Sequence, residues 1–382
     1  MRARMDGDDP MYALSSLVAL GRVMLVRFDY LVLAGLVAAS SEAARAQARA
    51  PAIRVIDRGR EVGVEYGPLA LHASAEHAAA VEPPPITFRL PASGWMRGYV
   101  VELVDGAGRR LPQRLLHHVN VMAKDQRELF SNVMQRLGAA GPETGTITLP
   151  RFVGVWVERV DTLVMTVMLH NPTGIHYDDV RLRVRIPFVR AGSRVGAITV
   201  YPMSIAIGPK ERPNVFDLPP GRSEHHWEGS PAVAARILGL SGHLHRYGLA
   251  LRLEDRTTGE VVWELKPRFD SSGEVRDMPV SMFLWSLGKV IRPDHVYRLT
   301  AVYDNPEGRT IPDGGMGVIG GVVMLPRGTR WPAVDRLHPE YLVDVRAILG
   351  EDSTSISPQR DQRIHPRRAP RRQVAGDQRH HE

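Results

Sequence analysis

Seven consecutive residues, Val180-Arg181-Leu182-Arg183-Val184-Arg185-Ile186, alternate apolar side chains with arginine. Successive strand side chains point to opposite faces, so this run dictates a half-buried strand with a wet outer face. Leu249 to Glu254 and Val261 to Leu265 flank Asp255-Arg256-Thr257-Thr258-Gly259-Glu260, a hairpin signal. Gly and Pro, 35 and 29 residues of 382, punctuate nearly everything else, and Arg127 to Leu137 is the one stretch with a helical pattern. Many short strands in two successive blocks predict an all-β chain of two tandem antiparallel jelly-roll β-sandwich domains. No internal repeat is visible, so the two sandwiches would be related in shape only.

The natural cut between them falls near residue 200, after the Arg190-Ala191-Gly192-Ser193-Arg194 turn. This gives sandwiches over 85–200 and 201–345, with 49–84 as a linker or a source of edge strands. A hydrophobic content of 43% suffices for two ordinary cores. Residues 346–382 are rich in Arg, Gln, His and Pro and are expected to be a disordered tail. Residues 1–48 read as a secretory signal peptide, with Met24 as an alternative start. There a basic beginning at Arg22 and Arg27 precedes the short apolar run Leu31 to Ala39, and Ala44-Arg45-Ala46-Gln47-Ala48 fits a processing site. Arg22, Arg27 and Asp29 leave too little apolar length for a stable membrane span. The expected location is secreted or periplasmic. With no cysteine in the chain, a lipoprotein anchor is excluded and no redox compartment can be read.

The formal charge is +7, but residues 351–382 hold seven Arg and five acidic residues, and the remaining excess is spread along the chain without a basic stripe. Nucleic-acid binding is therefore not expected. Gly315-Met316-Gly317-Val318-Ile319-Gly320 satisfies G-x-G-x-x-G on paper, yet it follows a Pro/Asp/Gly loop and runs into the apolar Val322 to Leu325. A dinucleotide site needs a strand before the glycines and a helix after them, so a Rossmann reading fails.

The chemistry concentrates in histidines. Ser241-Gly242-His243-Leu244-His245 places two imidazoles on one strand face, with Leu244 on the other. Upstream stands His117-His118, and downstream Met316 in the Gly-flanked stretch Asp313-Gly314-Gly315-Met316-Gly317, read as a loop. Taken alone, a His-His doublet is ordinarily a polar strand end, and a methionine fills gaps. Together, imidazole and thioether suit copper, because soft sulfur favours Cu(I) while the nitrogens also hold Cu(II).

In order the chain reads Leu115-Leu116-His117-His118-Val119-Asn120, Met168-Leu169-His170-Asn171-Pro172, His243-Leu244-His245-Arg246-Tyr247-Gly248, and Tyr303-Asp304-Asn305-Pro306 leading to Met316. Over about residues 85 to 326 this succession resembles the copper type II, ascorbate-dependent monooxygenases, the family of the peptidylglycine and dopamine enzymes. The resemblance implies two mononuclear copper sites facing each other across a solvent-filled cleft between two domains. It assigns His117 and His118 to an electron-transfer site and His243, His245 and Met316 to the site that binds O2 and hydroxylates a C–H bond. The third ligand of the first site is His170 or Met168, which share a strand face; an imidazole better completes a three-histidine set. The animal members are rich in disulfides, whereas a chain without cysteine must hold such sandwiches by packing alone.

The resemblance thus implies an extracytoplasmic copper monooxygenase acting on a small molecule, with ascorbate or another reductant as donor. The alternative is a copper-binding sandwich of the same fold that stores, senses or delivers the metal. A zinc hydrolase using His243 and His245 with Glu254 or Asp255 as base is a third reading, but no H-E-x-x-H helix signature occurs. In the peptidylglycine enzyme an arginine and a tyrosine hold the substrate carboxylate, and their positions here are Ser241 and Gly320. A C-terminal peptide carboxylate is therefore not the expected substrate; a neutral, aromatic or apolar compound is. The sequence carries no signal for oligomeric state.

Overall fold

The computed structural model describes residues 50–74, 80–144, 146–208, 215–270 and 275–350. The expected signal peptide (1–48) and the tail from residue 351 lie outside the described residues. The chain divides after Ala52, and the unit that begins at Ile53 contains every element described below apart from the first residue of β1.

Strands of the first half are β1 Ala52–Asp57, β2 Glu61–Leu71, β3 Ile86–Phe88, β4 Gly94–Met96, β5 Gly98–Val104, β6 Leu116–Arg127, β7 Met134–Ala140, β8 Ile147–Thr148, β9 Val153–Val157, β10 Leu163–Leu169 and β11 Tyr177–Arg190. Those of the second are β12 Ile198–Ile207, β13 Val215–Leu218, β14 Gly221–Gly229, β15 Ala235–Leu244, β16 Gly248–Asp255, β17 Glu260–Leu265, β18 Arg268–Phe269, β19 Val275–Asp277, β20 Ser281–Met282, β21 Lys289–Ile291, β22 Tyr297–Asn305 and β23 Ile311–Met324. One α-helix, α1 Pro339–Leu349, follows. The chain is all-β and sandwich-like, and no helix among the described residues is long and apolar enough to cross a membrane.

One sheet runs through both halves in the order β1-β2-β11-β4-β9-β12-β23-β15-β20. Its two parts meet at a short parallel ladder, Ile198 to Val200 of β12 against Val153 to Val155 of β9. Against the first part packs β3-β10-β6-β7, and against the second β14-β22-β16-β17. Alternation builds two cores. Val180, Leu182, Val184 and Ile186 of β11 face inward with Val119 of β6 and Val167 of β10 in the first. Ile237, Leu240 and Leu244 of β15 meet Leu251 and Leu253 of β16 in the second. The arginines between the apolar residues of β11 lie on the wet face and pair there with Glu65 and Glu102.

Several expectations change. Arg127 to Leu137 is not helical: β6 ends at Arg127, the Glu128 N–H closes a turn onto the Val133 carbonyl, and β7 begins at Met134. Leu129 and Phe130, inside that turn, are buried in the second core, so tertiary packing overrides a weak helical propensity. Residues 52–71 form two strands of the main sheet, with β1 at its edge. Residues 346–349, expected to belong to the tail, instead complete α1, which is capped by His338 and ended by Gly350 at φ 64°. Tyr341 and Val345 of this helix pack on Met122, Met134 and Val164. Finally, Asp313 to Met316 belongs to strand β23 and is not a loop.

Candidate functional site

A β-bulge creates the first half of the site. Met168 of β10 pairs with His118, but the next residue, Leu169, pairs with Leu116, which leaves His117 as the extra residue in β6. In a regular strand two adjacent histidines would face opposite ways; the bulge re-aims one of them. Their ring centroids lie 4.9 Å apart. Met168, directly opposite His118, lines the same cleft. His170 follows just past the end of β10 and donates its backbone N–H to the Leu115 carbonyl at 3.0 Å.

The second half rests on a regular strand. In β15, Leu240 and Leu244 point into the core, so Ser241 and His243 take the opposite face. His243 pairs with Val318 and Leu244 with Gly317, a register that points the end of β15 toward Met316. The H-x-H rings are 5.3 Å apart. Tyr303 of β22 fixes this corner: its hydroxyl accepts the N–H of His245 at 3.1 Å and of Met316 at 3.0 Å, and donates to the Met316 carbonyl. Burial raises the Tyr303 phenol well above its ordinary range, which keeps it protonated as donor.

The two halves meet. His117 and His245 are 6.4 Å apart, so the rings of His118, His117, His245 and His243 form one continuous row. The row borders a cleft of about 2160 Å³ into which His118, His243, Met168 and Met316 all open.

Two partners set the state of the imidazoles. The His243 Nδ1 lies 2.7 Å from the Glu143 carboxylate, from the loop after β7. Burial pushes the Glu143 carboxyl up, but the His243 hydrogen bond and charge outweigh it and hold the carboxyl below its usual range. An ionised carboxylate on this side accepts from Nδ1–H, which fixes the ring orientation and turns Nε2 away from Glu143. For His245, burial above all, and then the charges of His243 and His117, bring the imidazole down to about 3, so it is neutral at physiological pH. Its ring is oriented by a hydrogen bond to the Gly314 backbone. A neutral imidazole with one nitrogen engaged and the other available is the metal-ligating form.

The residues present therefore fit copper in kind: imidazoles with outer carboxylate and carbonyl partners, and thioethers on both walls. Among the described residues no three His, Asp or Glu side chains are gathered tightly enough to hold an ion by themselves, His117, His118 and His170 included. Each imidazole pair thus needs a further donor. Two contributors carried no such role in the sequence reading. Glu143 stands in Gly141-Pro142-Glu143-Thr144, where an acidic residue in a small-residue turn is the only local signal, and Tyr303 precedes the Asp304-Asn305-Pro306 turn.

Ser241 and Gly320 are direct cross-strand partners on the cleft wall. The Ser241 hydroxyl is engaged with the carbonyls of Met278 and Pro279 at 3.1 and 3.3 Å. A side chain at Gly320 would meet open space.

No family model matches the chain, and no curated protein matches it. Among solved structures, peptide:N-glycanase F (PNGase F) aligns at 8% identity over 69% of this chain and 95% of its own, with a TM-score of 0.36. An f-lectin (fucolectin) from the serum of Morone saxatilis, the striped bass, aligns at 11% identity over 69% of this chain and 96% of its own, with a TM-score of 0.15.

Proposed function

We propose that the protein is an extracytoplasmic copper-dependent monooxygenase of the type II, ascorbate-dependent kind, hydroxylating a C–H bond of a small molecule with O2 and a reductant. The observation that carries this reading is the row of four imidazoles beside a large cleft, with a thioether on each wall. His243, His245 and Met316 would hold one copper, and His117 and His118, with His170 or Met168, the other. Bound there, copper supplies the dioxygen binding and one-electron chemistry that organic side chains lack.

The chain's own residues do the rest. Glu143 holds the His243 proton on Nδ1, and the Gly314 backbone orients His245. Tyr303 locks the two donor-bearing backbones together. Met168 and Met316 give the cleft soft donors that favour the reduced ion. Ser241 and Gly320 put no cation on the strand pair beside the H-x-H, and the arginines of the cleft lining, Arg97, Arg136, Arg151 and Arg268, come from other elements, which supports a substrate without a carboxylate at this position.

The test is copper content together with oxygen uptake. Two coppers per chain with reductant-dependent O2 consumption support the monooxygenase. Copper without turnover over a panel of apolar and aromatic compounds points to a binding or delivery protein, and the absence of copper uptake rejects both.

A further inference from the structure

The turn between β19 and β21 plays no part in the metal centre, yet it is firmly built. The Phe283 N–H donates to the Leu238 carbonyl at 2.8 Å, and the N–H groups of Ser286 and Gly288 donate to the Phe283 carbonyl at 3.2 and 2.9 Å. The Trp263 indole donates to the Ser281 hydroxyl at 2.9 Å. This fixed turn presents apolar side chains to solvent. Trp285 is 100% exposed, Leu287 74%, Val280 56%, Val290 45% and Met282 42%. Leu287 moreover holds φ at 56°, a left-handed conformation that residues with a side chain rarely adopt. Single exposed apolar residues need no explanation, but a rigid turn that carries several of them marks an interaction site.

Charge indicates the partner. Met278 to Arg292 contains no carboxylate and includes Lys289 and Arg292. Arg236 pairs across from Val290 and donates to the Leu287 carbonyl at 3.4 Å, so a third cation stands at the root of the turn. A Trp and Leu tip with a basic collar matches the membrane interface, where indole settles at headgroup depth and Lys or Arg meets anionic phosphate.

We propose that the Val280 to Val290 turn docks the protein on an anionic lipid bilayer. Met278, Pro279, Val280 and Met282 also line the cleft, so docking sets its mouth against the membrane. The contact is independent of what the cleft catalyses.

The full chain is to be sedimented with vesicles of phosphatidylcholine alone and of phosphatidylcholine mixed with phosphatidylglycerol, with and without copper. Binding is expected on the mixed vesicles, equally in both metal states, and to weaken as salt is raised. The double variant Trp285→Ser, Leu287→Ser keeps every charge and residues 1–48, so it isolates the turn; its binding should fall at least about tenfold. Since Trp285 is fully exposed, an unchanged thermal melt is expected alongside. Lys289→Glu should weaken binding to the anionic vesicles only. A wild-type chain that stays in the supernatant overturns the proposal, as does a double variant that binds as well as wild type, which would assign the effect to overall basicity. A wild-type dimer that the double variant dissolves, with neither chain taken up by vesicles, would assign the turn to self-association instead.

Discussion

The Tyr303 hydroxyl is bonded to both the N–H and the carbonyl of Met316, and with the His245 N–H it fills all of its hydrogen-bonding positions. Removing that oxygen strands two backbone donors and an acceptor in a buried corner. Tyr303→Phe is expected to lower stability by about 1–3 kcal/mol. It should also weaken copper binding at His243 and His245 more than at His117 and His118. Denaturant unfolding and site-resolved copper spectroscopy check both parts; equal loss at the two pairs would show that Tyr303 serves the fold alone.

Glu143→Gln keeps the shape of the residue on His243 and removes its charge. Copper affinity at the H-x-H pair should fall by about 10- to 100-fold, the usual effect of losing a carboxylate behind a ligating imidazole. A competition titration against a chelator measures it, and an unchanged affinity would mean that the pair at 2.7 Å is a surface contact without influence on the metal.

The thioethers separate two kinds of donor. Met316→Leu preserves volume but removes the sulfur, so Cu(I) binding at His243 and His245 should weaken far more than Cu(II) binding. In the first site, Met168→Leu is expected to weaken copper binding, because Met168 stands opposite His118 and lines the cleft with it, whereas His170→Ala does little, because His170 is not gathered with His117 and His118. The reverse pattern would make His170, the imidazole expected from the sequence, the third ligand.

Glu128 titrates where few carboxylates do. It is 1% exposed, and burial, only partly offset by the Arg136 N–H and charge, raises it from 4.5 to about 7. Between those values the folded chain binds a proton that the unfolded chain has released. The contribution of Glu128 is therefore full below about pH 4.5 and declines as pH rises through 7. Stability should drop by up to about 3 kcal/mol across that window, and Glu128→Gln should flatten the profile. Urea midpoints from pH 4 to 8 decide it; a profile that Glu128→Gln leaves unaltered refutes the assignment.

Glycine-extended peptides should not saturate the protein under copper and reductant, because Ser241 is engaged with Met278 and Pro279 and Gly320 offers no group at all. Efficient, saturable hydroxylation of such peptides would overturn this and assign the carboxylate to one of the cleft arginines, such as Arg97 or Arg151.

The sequence was most readable where one face is apolar and the other wet. The arginine alternation in β11 and the β16–β17 hairpin follow their local patterns, since burial on a single sheet face imposes a period of two. Arg127 to Leu137 misled because Leu129, Val133 and Leu137 repeat at helical spacing, while Leu129 and Phe130 are held by a core built from later residues. The imidazoles of His243 and His245 come within 5.3 Å although β15 ends at Leu244, one residue short of the second histidine. Those of His117 and His118 come together through a bulge, which depends on how β10 pairs and leaves no mark in the residues themselves. Glu143 was illegible for a related reason: its partner lies 100 residues away, and proximity of that kind is set by tertiary packing alone.

The parallel ladder between β9 and β12 gives the molecule a seam. It is only three rungs wide, Ile198 to Val200, and Trp95 reinforces it with an indole bond to Thr199 at 3.0 Å. Across it Glu128 reaches Ser204, and Gln135 reaches the Pro202 carbonyl. A pair of lobes on a flexible tether could swing freely, but here the two halves cannot part without unzipping sheet. A force pulling them apart would be borne first by those few backbone bonds, while His117, carried on the layer packed against the sheet, depends on side-chain packing for its place beside His245.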